Sequence, residues 1–410
     1  MSADREQVPR VLIAGGGIAG LEALLALHDL GGDRLELTLV APEPDFTYKP
    51  LTVEEPFSMQ PAEHHELAPI AAELGAGFVQ SAVTAVDPEA HQLVLSGDQV
   101  IGYDVAVLCV GARNVPAFSR AITFRASGES LELERILGQD PAPERIAFVV
   151  PPSNTWPLPI YELALMTQRR ARELGLRELE FLIVTPEEAP LLVFGTVPSA
   201  AVSEVLRARG IEVRCGAHVR EEEDGGLSLH PGGEQLEASH VIALPKLEGP
   251  AIPGVPADEG GFIPIDEHAR VKGAGDLYAA GDGTNFPVKQ GGLGTQQADA
   301  AAEHISARFG AELEPRPFEP VLRGMLIVGG ESLSMEHSLR GGAGEGDTSS
   351  DYLWWPPHKV SGRYLAAWLA GETVHTQPRP PARPLEVEVA LPHEWHREPM
   401  ALDPLAPPPD

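Results

Sequence analysis

The spacing of apolar residues near the start of the chain changes from that of a strand to that of a helix. Residues 11–14 form an uninterrupted apolar run, a glycine-rich turn follows, and apolar side chains then recur at Ile18, Leu21, Leu24 and Leu25. This recurrence follows the 3.6-residue period of a helix. The pattern predicts a β-strand, a tight turn and an α-helix.

Later stretches repeat this alternation and predict further strands and helices. Residues 35–40 and 103–112 are expected to be strands of the same unit. A second unit follows, with strands expected at 145–150 and 178–185 and a helix at 160–175 between them. Strands that alternate with helices favour parallel sheets of the α/β class.

The charge balance excludes several classes of partner. Acidic residues outnumber basic ones by 60 to 30, and the formal charge of −30 repels nucleic acid and anionic lipid surfaces. We find no stretch with the roughly 18 apolar residues that a membrane span needs. Cys109 and Cys215 lie far apart, which suits a reducing compartment and excludes a disulfide framework. We therefore expect a cytoplasmic protein without a metal site, a nucleic-acid partner or stable membrane insertion.

Three glycines in the first turn have the spacing that a dinucleotide requires. Gly15, Gly17 and Gly20 satisfy the pattern G-x-G-x-x-G between the predicted strand and helix. The first makes the turn, the second lets the backbone approach a pyrophosphate, and the third lets the helix pack on the strand. Together with Ile18 and Ala19, these glycines are predicted to bind the cofactor pyrophosphate at the helix N-terminus. The alternative is a glycine-rich connector without a ligand.

The ribose of such a cofactor usually has an acidic partner about 20 residues further on. Ala41 stands at the end of the second predicted strand, where that acid is expected, and Glu43 follows two residues later. Glu43 is therefore the predicted ribose-binding residue. An exposed loop glutamate without a ligand is the alternative.

A second motif lies far along the chain. The run DLYAAGDGTNFPVKQGGLGTQQADAAAE at 276–303 resembles the C-terminal FAD motif of flavoproteins with two dinucleotide-binding domains. By this resemblance Asp282 hydrogen-bonds the ribityl or pyrophosphate region of FAD, and the following helix points its N-terminus at the isoalloxazine ring. Gly281 suits this role because glycine lets the backbone approach a ligand. Val83 and Gly111 are also predicted to contact FAD.

Two shorter segments resemble one branch of this class, which contains sulfide:quinone reductases, flavocytochrome c sulfide dehydrogenases and type II NADH dehydrogenases. The segment FTYKPL includes Lys49 and Pro50, and PVKQGG includes Lys289 and Gln290. The resemblance implies that these four residues contact FAD. It also implies that Lys289 lies near the flavin pyrimidine edge, where a cation stabilises anionic reduced flavin. A solvated surface lysine is the alternative.

These features predict an α/β fold with two Rossmann-like dinucleotide-binding domains, the second inserted in the first, and a C-terminal interface segment. The expected FAD-binding domain comprises residues 1–117 and 250–309, and the second, degenerate NAD-type domain comprises 118–249. Residues 310–370 form the expected interface segment, and 371–410 a proline-rich tail.

Two departures from the resembled branch limit the expected chemistry. Where type II NADH dehydrogenases have a second glycine fingerprint, the turn of the second unit reads PPSNTWPLPIYE. Its prolines remove backbone N–H groups that would bind phosphate oxygens, and Trp156 takes up space that a pyridine nucleotide needs. Sulfide-oxidising members have a cysteine in place of Trp156, and RGMLIVGG near residue 325 supplies no second one. Neither the usual mode of NAD(P)H binding nor sulfide oxidation is expected.

Other candidate residues have alternative structural roles. Glu162, which is a predicted catalytic residue together with Lys289, matches a flavin-facing glutamate in the resembled branch. The alternative for Glu162 is a helix-start glutamate that interacts with the helix dipole. The aromatic residues of the C-terminal segment fit either a planar-acceptor site or, as the favoured interpretation, a domain-interface core. These aromatic residues are Tyr352, Trp354, Trp355 and Trp368.

The predicted function is that of an FAD-dependent oxidoreductase. It passes electrons from an unidentified small-molecule donor through FAD to an acceptor such as a quinone. One alternative is an NAD(P)H dehydrogenase with an atypical nicotinamide site, and another is a flavin-holding, partner-binding protein with little turnover. The sequence identifies neither the donor, the acceptor nor an oligomeric state.

Overall fold

The computed structural model of the chain describes residues 8–57, 63–125, 130–153, 155–329, 332–339 and 344–372. The predicted proline-rich tail lies outside the described residues from residue 373 onward, so it stays a prediction.

The helices and strands alternate along most of the chain. The helices are α1 (Ile18–Gly31), α2 (Leu67–Glu73), α3 (Ser130–Leu137), α4 (Leu158–Glu173), α5 (Thr196–Arg209), α6 (Gly291–Arg308) and α7 (Leu365–Leu369). The 3-10 segments are Gly32–Arg34, Lys49–Phe57 and Leu192–Phe194. The strands are β1 (Arg10–Ala14), β2 (Glu36–Ala41), β3 (Asp45–Thr47), β4 (His64–Glu66), β5 (Gly77–Gln80), β6 (Val83–Asp87), β7 (Gln92–Leu95), β8 (Val100–Gly102), β9 (Val105–Leu108), β10 (Arg113–Val115), β11 (Ile122–Thr123), β12 (Arg145–Val149), β13 (Glu180–Val184), β14 (Ile211–Arg214), β15 (His218–Glu221), β16 (Leu227–His230), β17 (Glu234–Gln235), β18 (His240–Ala243), β19 (Lys246–Glu248), β20 (Leu277–Ala279), β21 (Val321–Ile327), β22 (Ser332–Ser338) and β23 (Asp347–Ser349).

The first large sheet is parallel and has the strand order β20-β9-β1-β2-β5. Its central strands β1 and β9 consist mainly of buried apolar residues, as parallel strands covered on both faces require. α1 and α6 pack against each other and contact this sheet. Because β1 pairs with β2 on one side and with β9 on the other, a crevice is expected beyond the carboxyl ends of β1 and β9.

The second large sheet repeats this arrangement with the strand order β11-β18-β12-β13-β14, and its pairs are also parallel. α4 packs on β12 and β13, and α5 packs on β14. β12 is the central strand here, as β1 is in the first sheet. The equivalent crevice position therefore lies beyond the carboxyl ends of β12 and β18.

A C-terminal hairpin connects the two units. β21 pairs with β22, β23 extends the pair, and β21 contacts both α4 and α6. The strands and helices form two Rossmann-type units, which confirms the predicted fold class. The predicted residue boundaries of the domains stay predictions. Within the described ranges, no helix combines the length and the apolar character needed to cross a membrane.

The segment after the hairpin is attached to the first unit by buried hydrogen bonds. The Val360 N–H donates to the Tyr48 hydroxyl at 2.8 Å. The Tyr364 and Leu365 N–H groups donate to the Glu22 carboxylate in α1 at 2.8 and 2.7 Å. Two side chains from the start of the chain therefore hold a segment from near the end of the described residues.

Candidate cofactor site

A cleft of about 590 Å³ opens at the crevice of the first sheet. Its walls combine the turn after β1, the loops after β2 and β9, and the turn before α6. The predicted residues that line it are Gly15, Gly17, Ile18, Ala19, Glu43, Lys49, Val83, Gly111, Gly281 and Asp282. The fold thus brings the two glycine-containing motifs and the loops between them to one cleft. The assignment of these residues as cofactor contacts stays a prediction.

The three glycines of the first turn have different roles. Gly15 has a φ of +120°, and a Cβ there would lie 2.2 Å from the carbonyl oxygen of Cys109. A Cβ at Gly20 would lie 1.8 Å from the carbonyl oxygen of Gly15, so Gly20 serves the packing of α1 rather than the cleft wall. At Gly17, no described residue beyond its chain neighbours comes within 4 Å of the Cβ position. The space for a ligand therefore meets the turn at Gly17.

The start of α1 has the polarity that a pyrophosphate needs. Gly17 is the N-cap residue, no side chain caps the helix, and its first turn contains no acidic residue. The N–H groups of that turn are left for an anionic ligand, and the helix dipole favours negative charge there. The residues present therefore fit the pyrophosphate of a dinucleotide cofactor such as FAD.

Asp282 contributes a carboxylate from the turn before α6. Burial raises the pKa of this carboxyl group, and the positive charges of Lys289 and Lys49 oppose the shift. A carboxylate in a cleft accepts hydrogen bonds from hydroxyl groups, such as those of a ribityl chain. Asp282 and the uncapped helix together make the cleft suitable for FAD.

Lys289 is buried behind this turn. Its side chain is 4% exposed, its Nζ donates to the carbonyl oxygen of Thr284, and the Nζ lies 3.8 Å from the ring centre of Phe262. Burial lowers the pKa of Lys289 to about 8, and Asp282 opposes this shift. The surface-lysine alternative is therefore excluded. The predicted position of Lys289 at the flavin edge stays a prediction, because its side chain is not among the residues that line the cleft.

Glu162 forms a buried ion pair that the sequence did not reveal. Its carboxylate lies 2.7 Å from the Lys359 Nζ and accepts the Ile327 N–H at 2.9 Å, and the carboxylate is completely buried. The Lys359 Nζ also donates to the Pro50 carbonyl oxygen at 2.8 Å. Burial raises the pKa of Glu162 although Lys359 opposes the shift. In the sequence, the only sign of this ion pair is that Lys359 is the single lysine between Trp355 and α7.

Gln290 occupies a structural position at the start of α6. It is the N-cap residue, accepts the Leu293 N–H at 2.9 Å, and donates to the Arg323 carbonyl oxygen at 3.0 Å. Both polar ends of the side chain are thus used within the protein. The predicted contact of Gln290 with FAD stays a prediction, and these two bonds leave its side-chain amide engaged within the protein.

In the second unit, the turn after β12 is equivalent to the glycine turn after β1. Hydrogen bonds within the turn after β12 close it. The Ser153 N–H donates to the Pro151 carbonyl oxygen at 2.8 Å, and the Thr155 N–H donates to the Ser153 carbonyl oxygen at 2.7 Å. The Thr155 hydroxyl donates to the Pro245 carbonyl oxygen at 2.6 Å. This last bond joins the turn after β12 to the residues after β18. It therefore crosses the position at which this fold would bind a ligand.

Two further side chains of the second unit are engaged within the protein. Glu187, which follows β13, accepts hydrogen bonds from the Tyr161 hydroxyl at 2.7 Å and the Thr185 hydroxyl at 2.8 Å. Burial raises the pKa of Glu187 to about 7. Trp156 is half-buried and packs edge-on against Phe194, with ring centres 5.6 Å apart. Glu187, the first acidic residue after β13, is therefore already hydrogen-bonded within the protein.

Comparison with known proteins agrees with this geometry. A family model for pyridine nucleotide-disulphide oxidoreductases matches residues 162–304. Demethylphylloquinone reductase NdbB of Synechocystis sp. is 27% identical over 362 residues, which cover 78% of this chain and 85% of that protein. The chain is an FAD-dependent flavoprotein oxidoreductase that is similar to the pyridine nucleotide-disulphide oxidoreductases. This result confirms the predicted enzyme class and the predicted FAD cofactor.

Two further proteins resemble the flavoprotein more distantly. Rhodocoxin reductase of Rhodococcus erythropolis is 25% identical over 304 residues, which cover 68% of this chain and 65% of that protein. The sulfide:quinone oxidoreductase structure from Aquifex aeolicus shares the fold, with a TM-score of 0.75 at 17% identity. That similarity covers 83% of this chain and 86% of the Aquifex chain.

The two cysteines of the flavoprotein are not in the environment of a reactive thiol. Burial raises the pKa of Cys109, which lines the cleft, to about 12. Burial, with a smaller contribution from the charge of Glu187, raises the pKa of Cys215 to about 11. Thiols with such pKa values stay protonated at neutral pH. In the part of the chain that the structure describes, no three His, Cys, Asp or Glu residues are grouped to hold a metal ion.

The aromatic residues of the C-terminal segment fall into two groups. Tyr352 and Trp355 are 57% and 63% exposed. Trp354 is half-buried and donates its Nε1–H to a backbone carbonyl 2.9 Å away, and Trp368 packs edge-on against His65 at 5.2 Å between ring centres. The favoured interpretation as a domain-interface core is therefore wrong for Tyr352 and Trp355. It fits Trp354 and Trp368.

Proposed function

We propose that the flavoprotein oxidises a small-molecule donor at FAD and passes the electrons to a planar acceptor of the quinone class. The observation that carries this proposal is the contrast between the two crevices. The first is an open cleft of about 590 Å³, whereas the Thr155–Pro245 hydrogen bond bridges the second. The contrast favours a donor other than a pyridine nucleotide docked on the second unit.

Two of the compared proteins support the acceptor class. The Synechocystis relative is named as a demethylphylloquinone reductase, and the Aquifex structure is that of a sulfide:quinone oxidoreductase. The exposed rings of Tyr352 and Trp355 offer aromatic surface against which a planar molecule can stack. A quinone is therefore the acceptor to test first.

Several residues of the chain are suited to serve the reaction. Bound FAD supplies the electron-transfer chemistry. The turn at Gly17 accommodates its pyrophosphate, Asp282 accepts hydrogen bonds from its hydroxyl groups, and Lys289 contributes positive charge to the same region. Glu162, whose pKa is raised by burial, pairs with Lys359 and is the proposed proton-exchanging group.

An NAD(P)H dehydrogenase is the second candidate function. The family model that matches the chain is named for pyridine nucleotides, and its match begins at Glu162 within the second unit. The closed turn after β12 opposes this candidate, since the N–H groups of Ser153 and Thr155 and the Glu187 carboxylate are already bonded.

Anaerobic reduction of the FAD-loaded protein by a panel of donors tests the proposal. We expect at least one small organic donor to bleach the flavin, and a quinone to reoxidise it with saturation. Sulfide is expected to produce neither a charge-transfer band nor rapid bleaching, because both thiols are protonated. Saturating reduction by NADH below about 1 mM, within the usual range of KM values, would establish the second candidate instead. A flavin that stays oxidised with every donor would indicate a binding protein with little turnover.

A further inference from the structure

One buried glutamine in the middle of α6 fixes the turn that carries Asp282. Gln297 is 2% exposed, and its Oε1 accepts the Gly281 N–H at 2.8 Å. Its Nε2 donates to the Thr284 hydroxyl at 3.3 Å, and that hydroxyl donates to the Gly281 carbonyl oxygen at 3.0 Å. Gln297 and Thr284 therefore engage both backbone polar groups of Gly281 in a closed ring of hydrogen bonds.

Gly281 requires such a constraint. Its φ of +87° lies in a region that other residues rarely adopt, and glycine has many alternative conformations when nothing holds it. α6 approaches closely here, because a Cβ at Gly294 would lie 3.0 Å from the Gly281 Cα. On the other side of the turn, Lys289 donates to the Thr284 carbonyl oxygen. Because Asp282 directly follows Gly281, the direction of its carboxylate depends on how the backbone of Gly281 is held.

We propose that Gln297 is a positioning residue of the FAD site, which orients Asp282 and thereby sets the affinity for FAD. The inference rests on the proposed contact between Asp282 and FAD. Gln297 is not among the residues that line the cleft, so its effect on the cofactor is transmitted through Gly281.

The neighbouring glutamine provides a matched control. Gln296 is 8% exposed, accepts the Val321 N–H at 2.9 Å, and donates to the carbonyl oxygens of Val321 at 2.9 Å and Gly292 at 2.8 Å. It therefore ties α6 to the C-terminal hairpin rather than to the turn of Asp282. Replacing either glutamine by methionine removes the same amide from the same helix at similar volume.

Fluorescence titration of the apoprotein with FAD measures the effect. Gln297→Met is expected to raise the Kd for FAD about tenfold, equal to about 1.4 kcal/mol, because the Gly281 N–H loses its partner. Gln296→Met is expected to change that Kd by less than about twofold, since it acts at an independent site. Both variants are expected to lower the stability of the apoprotein to a similar extent. Equal shifts in Kd for the two variants, or an unchanged Kd in Gln297→Met, would overturn the proposal.

Two more variants keep the test decisive. Thr284→Val removes the hydroxyl from the ring and is expected to raise the Kd in the same direction, by a smaller factor; wild-type affinity in this variant would count against the ring. Asp282→Ala tests the contact between Asp282 and FAD separately from the positioning role of Gln297. This variant is expected to raise the Kd about ten- to a hundredfold. Full affinity in Asp282→Ala would remove Asp282 from the site. A loss in Asp282→Ala with an unchanged Kd in Gln297→Met would refute the positioning role alone.

Discussion

The two units of the flavoprotein share one topology but differ in how the turn after the central strand is built. After β1, Gly17 faces open space and α1 begins without a cap, so N–H groups are left for a ligand. After β12, the N–H groups of Ser153 and Thr155 bond within the turn, and the Thr155 hydroxyl bonds to Pro245. The comparison teaches that strand order determines where a nucleotide is able to bind, whereas the turn residues determine whether one does.

The largest effect on stability is expected where the second unit is tied to the rest of the chain. Lys359→Met leaves the Glu162 carboxyl group buried without its cation, and we expect the free energy of unfolding to fall by about 3–5 kcal/mol in urea titrations. The double variant Glu162→Gln/Lys359→Met should recover part of that loss, because no charge is then buried. A single variant as stable as the wild type would show that Glu162 is protonated in the folded protein.

The next largest effect tests the open turn of the first unit. Gly17→Val adds side-chain atoms where the protein has none nearby but the pyrophosphate is expected, so we predict an increase in the Kd for FAD of about a hundredfold or more. The apoprotein should remain folded. Gly275→Val is the control, because a Cβ at Gly275 also meets open space and lies away from the cleft. If Gly17→Val retained FAD as well as Gly275→Val does, the cleft would not hold the pyrophosphate at this turn.

A smaller effect is expected from Glu187, the buried and hydrogen-bonded carboxyl group of the second unit. The pKa of Glu187 is raised from 4.5 to about 7 in the folded protein, so the folded state retains a proton that the unfolded chain releases between these values. This carboxyl group therefore lowers stability as the pH rises from about 4.5 to 7. Glu187→Gln should remove that part of the pH dependence in thermal unfolding, whereas the exposed Glu188→Gln should keep it. Parallel curves for the wild type and Glu187→Gln would show that Glu187 is solvated and free for a ligand.

The smallest effect is expected when the closed turn is opened. Thr155→Ala/Trp156→Gly removes the bond to Pro245 and the indole, but the prolines and the Glu187–Tyr161 bond remain. We expect stopped-flow reduction by NADH to stay slow and without saturation up to about 1 mM, a range that includes most KM values. Saturation in this variant would show that one hydrogen bond and one ring were all that distinguished the two turns.

The residues that the sequence revealed are those whose role is local. Gly15 has the positive φ of a tight turn, and Gly20 meets a steric demand within that turn, because a Cβ at Gly20 would lie 1.8 Å from the carbonyl oxygen of Gly15. The strand, turn and helix that contain them follow from apolar spacing alone. The first unit and its cleft were therefore accessible to prediction.

The residues that the sequence missed depend on segments that meet only in the fold. Lys359 and Glu162 are 197 positions apart and pair only because the segment after the hairpin reaches α4. Gln290 and Gln297 belong to the same motif, and the loop resemblance favoured Gln290. Helix geometry gives the two glutamines different partners, because the N-cap directs Gln290 to Leu293 and Arg323 while the next turns of α6 direct Gln297 to Gly281.

The attachment of the segment after the hairpin has a consequence for biosynthesis. The partners of Tyr48 and Glu22 lie 312 to 343 positions later in the chain, at Val360, Tyr364 and Leu365. At about 5–20 residues per second, a ribosome needs roughly 15 to 70 seconds to deliver them. During that interval the Glu22 carboxylate lacks the Tyr364 and Leu365 N–H groups. Water is then expected to hydrate the face of α1 that the folded protein buries. The nascent first unit is therefore expected to stay loosely packed, and FAD to be captured only after residue 365 has been translated.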